Sequence, residues 1–267
     1  MPGWARETEA RLLTGKALPT DRLWADPAVI LRAARLDPDP TQEKLLRSPA
    51  TRILLLCTRQ WGKSTIAAAL ALKVALCEPG SLTLLLSPSE RQSGELHRKV
   101  VGLYRALGRP VPLAGPRENQ LRTELANGSR VVALPGKEGT VRSFSGVRLL
   151  VIDEAARVLD DLYRSVRPML SVSRGALVGL STPWGKRGWF FEAWAGGEPW
   201  ERVCIPADQC PRISREFLAE EEAELGEHFY RQEYFCEFRG VMDSLFLEED
   251  IERAFACDDV QPLFPGA

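Results

Sequence analysis

Arg52-Ile53-Leu54-Leu55-Leu56-Cys57-Thr58-Arg59-Gln60-Trp61-Gly62-Lys63-Ser64-Thr65 is the stretch on which the reading of this 267-residue chain turns. A short apolar run enters a tight polar loop, the loop closes on Gly-Lys-Ser-Thr, and an alanine-rich stretch follows. Strand, loop and helix in that order make a phosphate-binding P-loop. The N–H groups of the loop and of the helix start converge on one spot, where the helix dipole also favours negative charge. In such a loop Lys63 reaches the β- and γ-phosphates of a nucleotide and the Ser64 hydroxyl ligates Mg²⁺. Thr58, Gln60, Trp61, Gly62 and Thr65 complete the cradle. One position departs from the pattern: G-x-x-x-x-G-K-[ST] puts its first glycine where this chain has Cys57. A bare Gly-Lys-Ser also arises by chance, so the surrounding sequence has to decide.

With 45% hydrophobic residues the chain can build one large α/β domain and a small appendage. No apolar run approaches the roughly 20 residues of a membrane-spanning helix. The start, Met1-Pro2-Gly3-Trp4-Ala5-Arg6-Glu7, lacks the apolar core of a secretion signal. A cytosolic chain without a membrane partner is expected. Six cysteines (57, 77, 204, 210, 236, 257) form no C-x-x-C pair, so free thiols are expected rather than a zinc site. The formal net charge is −1, but the distribution is uneven. Leu85 to Arg148 holds 11 Lys and Arg against 5 Glu, whereas Glu216 to Ala267 holds 3 Arg against 15 acids. A middle region able to meet a phosphate backbone is followed by an acidic tail, although solvated helix faces give the same counts.

Residues 1–36 are expected to form a peripheral helical extension, with Leu23, Trp24, Ile30, Leu31 and Leu36 as a loose apolar stripe. Asp37-Pro38-Asp39-Pro40 breaks it, and a short helix capped by Asp39 or Thr41 begins the core. The P-loop core is expected over 37–200, and a small lid subdomain with an acidic tail over 201–267. Within the core, Arg52–Cys57, Leu82–Ser87, Leu149–Glu154 and Ala176–Ser181 are near-continuous apolar runs. Such runs suit strands buried on both faces in a parallel sheet. Ser64–Cys77, Ser89–Leu107 and Val158–Leu170 are helical segments between them. Leu121–Ala126 and Ser129–Leu134 flank Asn127-Gly128, which reads as a two-residue hairpin turn. The fold class is therefore α/β: a P-loop NTPase with a mainly parallel sheet flanked by helices, a β-hairpin inserted or at an edge, and a small C-terminal lid.

The second chemical anchor is Asp153-Glu154. A buried strand that ends in two acids presents them at the carboxyl edge of the sheet, where open α/β sheets bind ligands and where the P-loop also lies. Asp153 can hold Mg²⁺ directly or through water, and Glu154 can orient and deprotonate the attacking water. A glutamate beside the metal acid favours hydrolysis over transfer to a small acceptor. Ser181-Thr182-Pro183 closes the next strand, where hydroxyls can sense the γ-phosphate and relay its loss. Arginines supply transition-state charge in such sites. Arg59, inside the loop, can act in cis, and Arg142 can reach a neighbouring subunit's nucleotide; a surface salt bridge is the plain alternative for each. Gln42 precedes Lys63 by 21 positions and can bond the adenine edge.

Jointly these segments resemble the ATPase domain of the large terminase subunits of tailed bacteriophages. Cys57-Thr58-Arg59-Gln60-Trp61-Gly62-Lys63-Ser64 is similar to that family's deviant P-loop, in which Arg-Gln-x-Gly-Lys-Ser/Thr is usual and the first glycine is commonly absent. Pro40-Thr41-Gln42 resembles its adenine-reading segment, Leu150 to Val158 its Walker B segment and Leu180 to Gly188 its coupling segment. Phe229 to Phe238 is similar to the sequence that closes its ATPase domain. The resemblance spans about Pro38 to Phe238. It implies an ATP- and Mg²⁺-dependent motor that threads double-stranded DNA into a procapsid, working in the host cytoplasm and absent from the mature virion. It also implies a homo-oligomeric ring, often of five, docked on the portal protein and served by a small terminase subunit, with a monomer possible in isolation. An arginine given in trans before the Walker B strand is expected, Arg142 first and Arg148 in reserve. Most members continue into a nuclease domain. Here Asp243, Glu248, Glu249, Asp250, Asp258 and Asp259 follow no buried strand pattern, so an isolated ATPase half without DNA cleavage is expected. The competing readings are a P-loop small-molecule kinase, a stand-alone or helicase-like DNA translocase, and a nucleotide-gated scaffold without turnover.

Overall fold

The computed structural model describes residues 20–115, 121–136, 141 and 143–240. Seven strands, β1 (Arg52–Cys57), β2 (Leu82–Ser87), β3 (Arg122–Glu124), β4 (Arg130–Pro135), β5 (Val147–Asp153), β6 (Ala176–Ser181) and β7 (Glu201–Ile205), form one sheet in the order β3-β4-β2-β5-β6-β1-β7. Every neighbouring pair is parallel except β3–β4. Among the described residues the helices are α1 (Thr20–Ala25), α2 (Val29–Ala33), α3 (Pro40–Arg47), α4 (Lys63–Cys77), α5 (Glu90–Ala106), α6 (Asp160–Val166), α7 (Gly188–Ala195) and α8 (Arg215–Phe235). Among the described residues no helix is long and apolar enough to cross a membrane.

The apolar strands are apolar because both faces of the sheet are covered. Alternate residues of β1 go to opposite sides. Ile53, Leu55 and Cys57 join Val151 and Val178 under α4 and α5, while Leu54 and Leu56 join Leu150 and Leu177 under α6 and α7. In α4, Ala67, Ala68, Ala69, Ala71 and Ala75 are fully buried, and their small side chains let the helix lie close on the sheet. On the other face Tyr163 stacks on Trp189 with ring centroids 4.0 Å apart, and Asp160 Oδ1 accepts the Trp189 N–H at 2.7 Å, capping α7. The far end of α7 is closed by Arg202, whose guanidinium donates to the carbonyls of Ala193, Trp194 and Gly196.

Four expectations change. The described part of the N-terminal extension is not peripheral: Leu23, Ile30 and Leu31 are buried in the core under α4 and α5, and only Trp24 and Leu36 of the stripe are exposed. The boundary at residue 200 falls one strand early, because Glu201–Ile205 adds to the sheet beside β1. The hairpin lies at the sheet edge, but its turn is longer than Asn127-Gly128. The Arg122↔Val132 and Glu124↔Arg130 register and the Leu125 N–H bond to Ser129 O leave three residues, Ala126 to Gly128, in the loop. Gly128 takes a positive φ of 83°, as such loops demand at their last position. The segment after Val158 splits into α6 and a 3₁₀ turn, Arg167–Leu170, where Pro168 cannot donate the next helical bond. Within the expected lid region, α8 is a single helix interrupted at Gly226 (φ 72°, ψ 157°).

Candidate functional site

The loop after β1 carries the pairing with β7 one residue past the strands, through Thr58 N–H to Ile205 O at 2.8 Å. Gln60 (φ 68°) and Gly62 (φ 100°) then turn the chain into α4. The left-handed backbone at position 62 favours glycine, and a Cβ there would also press on the Gln42 amide and the Arg212 guanidinium at 3.3 Å. Cys57 has no such need. It has no positive φ, and its side chain is fully buried beneath the loop as the last core residue of β1. Burial pushes its thiol up to about 12, so it stays a neutral packing group. Lys63 is buried, and its ammonium donates back to Cys57 O (2.7 Å) and Thr58 O (2.9 Å), spanning the loop it springs from. Ser64 and Thr65 lie in the first turn of α4.

Behind the loop stands a fixed polar frame. Asp39 and Gln42 form a reciprocal capping box at the start of α3. Asp39 Oδ2 also accepts the Trp61 indole N–H at 2.9 Å, and Gln42 Nε2 donates to Trp61 O at 2.9 Å. Gln42 is therefore buried with both ends of its amide engaged. Arg212 donates to the same Trp61 carbonyl at 2.7 Å. Sequence reasoning missed Arg212, because it follows Pro211 in an irregular loop with no periodic or motif spacing to betray it.

The second half of the site lies across β6. Asp153 ends β5 opposite Leu180, next to the strand that carries Ser181. Its carboxylate accepts the Glu154 N–H at 3.1 Å. Burial and, next, the charge of Glu154 push its pKa from 3.8 up to about 6, against the pull of that N–H and of Lys63. Glu154 holds a left-handed backbone (φ 49°, ψ 43°) before the 3₁₀ turn Ala155–Arg157. A non-glycine residue there costs about 1 kcal/mol or more, a penalty that gathers at functional sites. The Ser181 hydroxyl is buried without a partner, and Thr182 and Pro183 are buried beside it. Arg59 is largely exposed and pairs with Glu233 Oε2 at 2.8 Å, a bond that raises the guanidinium pKa further. Glu233 lies in the last turns of α8, and its carbonyl accepts the Thr58 hydroxyl at 3.5 Å. Arg148 is the second residue of β5 and pairs with Glu78, about 16 Å along the strand from Asp153. Arg142, Asp243 and the acidic residues after it lie outside the described residues.

The raised Asp153 pKa has a measurable consequence. A carboxyl whose pKa is higher in the folded state favours folding below its unfolded pKa, and that contribution is lost as pH rises through about 6. Asp153→Asn removes the penalty. In metal-free buffer near pH 8 it is expected to stabilise the protein by about 1–2 kcal/mol, a Tm rise of about 2–6 °C, and to give no gain near pH 4. Thermal unfolding at the two pH values checks this, and an equal gain at both would contradict it.

No protein-family model matches the chain. It is 25% identical over 244 residues to the large terminase subunits of Thermus phage G20c and Thermus virus P23-45, covering 78% of this chain and 50% of theirs. The chain thus spans about half the length of these relatives. Among solved structures, the large terminase ATPase domain of Thermus phage P74-26 matches with a TM-score of 0.69 at 22% identity, covering 78% of this chain and 96% of that chain. The HK97 bacteriophage large terminase matches with a TM-score of 0.61 at 16% identity, over 76% of this chain and 51% of that chain. The large terminase of another, thermophilic bacteriophage, in complex with ADP, matches with a TM-score of 0.58 at 15% identity, over 75% of this chain and 54% of that chain. The fold is that of large terminase ATPase domains, and the expected resemblance to large terminase subunits is borne out.

Proposed function

We propose that this chain is the ATP-hydrolysing motor module of a viral large terminase subunit, converting ATP and water to ADP and phosphate to drive double-stranded DNA into a procapsid. One observation carries the reading. The Lys63 loop and the strained Asp153-Glu154 pair stand at the same sheet edge, separated only by the strand that ends in Ser181. Placing Glu154 directly after the metal acid supports hydrolysis over phosphoryl transfer to a small acceptor.

In this reading the loop amides and Lys63 bind the triphosphate, and Gln42 and Trp61 fix the loop that meets the base. Gln42 reads adenine after exchanging one of its present bonds. Ser64 and Asp153 would hold Mg²⁺. The fit is supported by Asp153, a carboxylate with a backbone N–H as its close partner and a pKa raised by burial, which a cation would relieve. A cation held by these two residues would supply positive charge to offset that of the triphosphate. Glu154 takes the proton of the attacking water. Arg59 lies on the loop to meet developing charge, and Arg142 of a neighbouring subunit supplies the arginine in trans. Arg148 is the weaker choice, being held by Glu78 at the opposite edge. Ser181, Thr182 and Pro183 sense the γ-phosphate. The module works in the host cytoplasm, in a homo-oligomeric ring on the portal protein, with the small terminase subunit as a further partner.

The test is ATP turnover by the chain alone and assembled with portal-bearing procapsids and linear duplex DNA. Slow turnover is expected alone and stimulation of about tenfold or more in the ring, since an arginine in trans is worth up to about 10³–10⁵. Mixed rings of Arg142→Ala and Glu154→Ala subunits should recover part of the lost turnover. Absence of turnover under all conditions overturns the reading, and turnover that requires a small acceptor points to a kinase.

A further inference from the structure

We propose that Arg157 is a positioning residue for Glu154, tying that carboxylate to the loop after β6 and to the end of α8. The inference rests on the reading of Glu154 as the base. The 3₁₀ turn that carries Glu154 out of β5 closes with the Arg157 N–H bonded to Glu154 O at 2.8 Å, which brings the guanidinium back beside the carboxylate. Arg157 Nε lies 3.8 Å from Glu154 Oε2, and one terminal nitrogen lies 3.7 Å from Glu233 Oε1. The guanidinium plane meets the Trp184 ring with its carbon 3.8 Å from the ring centroid.

Three elements thus converge on one cation: the end of β5 through Glu154, the loop after β6 through Trp184, and the end of α8 through Glu233. Trp184 directly follows Ser181-Thr182-Pro183 and is 36% exposed, a large ring left at the surface whose cation partner is Arg157. A guanidinium can stack by its face while its edge nitrogens meet carboxylates, whereas a lysine ammonium is a point charge that cannot satisfy all three at once. Glu233 gives its other oxygen to Arg59 of the P-loop. Glu154, Arg157, Glu233 and Arg59 therefore alternate in charge along one row from the Walker B end to the P-loop. Both contacts of Arg157 exceed direct hydrogen-bond length, so its charge is divided between two carboxylates and can be redistributed when either moves. A movement of the loop after β6 reaches Glu154 through this residue. An ordinary half-exposed ion pair would carry no such link.

The test uses the whole chain labelled with 5-fluorotryptophan, the Trp184 fluorine resonance being assigned by its loss in Trp184→Phe. In nucleotide-free protein, Glu154→Gln should move the Trp184 resonance when position 157 is Arg and leave it unmoved in an Arg157→Gln background. Arg157→Gln should also lower kcat by about tenfold or more with the Kd for ATP within about twofold, since small misplacements of a reacting group are costly. Arg157→Lys should recover only part of that loss, and thermal unfolding checks that the variants are folded. Equal movement of the Trp184 resonance in both backgrounds, or a kcat within about twofold of wild type, overturns the proposal. If the wild-type chain turns over no ATP, the functional reading fails, while the fluorine measurement still decides whether Arg157 links Glu154 to Trp184.

Discussion

Glu154→Gln is expected to lower kcat for ATP by about a hundredfold or more, within the range lost with a general base. ATP affinity should stay within about twofold of wild type. The amide keeps the shape of the side chain but cannot accept the proton of the attacking water. The bonds that shape the P-loop do not include it: Lys63 bonds to Cys57 and Thr58, and Trp61 to Asp39, Gln42 and Arg212. Glutamine tolerates the left-handed backbone at least as well as glutamate, so the fold should be unchanged. Phosphate release, equilibrium binding of a fluorescent ATP analogue and thermal unfolding give the three readings. Turnover near the wild-type rate would remove Glu154 as the base.

Lys63→Ala acts on binding. Loss of a charged donor to the phosphates should weaken ATP binding by about 10–150-fold, the equivalent of about 1.5–3 kcal/mol. It should also abolish the thermal stabilisation that ATP gives the wild type. A second effect comes from the chain itself. Lys63 is the donor to two carbonyls at the end of β1, and alanine leaves both without it. A loss of about 1 kcal/mol in nucleotide-free stability is expected, reduced by relief of the buried ammonium. Isothermal titration measures the first effect and denaturant unfolding the second. Unchanged ATP affinity would refute the P-loop assignment.

The parts of the fold that were legible in the sequence are those whose burial leaves a simple pattern. β1, β2 and β6 are covered on both faces and read as unbroken apolar runs, so their limits coincide with the expected ones. β7 was invisible because it is an edge strand. Glu201 and Arg202 break its apolar run, and Arg202 is there to close α7, not to face a core. The Asn127-Gly128 signal located the hairpin, but its loop length is set by the Leu125–Ser129 pair, which no local pattern announces. The same contrast holds in the site. Lys63, Asp153 and Glu154 follow apolar strands and could be found. Arg157, Arg212 and Glu233 gain meaning only from neighbours far along the chain, as when Glu233 meets Arg59.

The interruption of α8 at Gly226 lets the two halves of the helix meet, Tyr234 donating to Glu221 at 2.7 Å and lying edge-on to Phe217. Before it, Arg215 to Leu225 presents a mostly solvated surface anchored by Leu218; beyond it, Tyr230, Gln232 and Tyr234 are sunk into the body. The later half is therefore held by the earlier one through Leu218, Phe217 and Glu221, with Glu233 set against the P-loop. The chain then runs to Phe238, wedged against Phe190 and Phe191 of α7. The end of α8 and the segment after it thus join α7 to the P-loop without passing through the sheet.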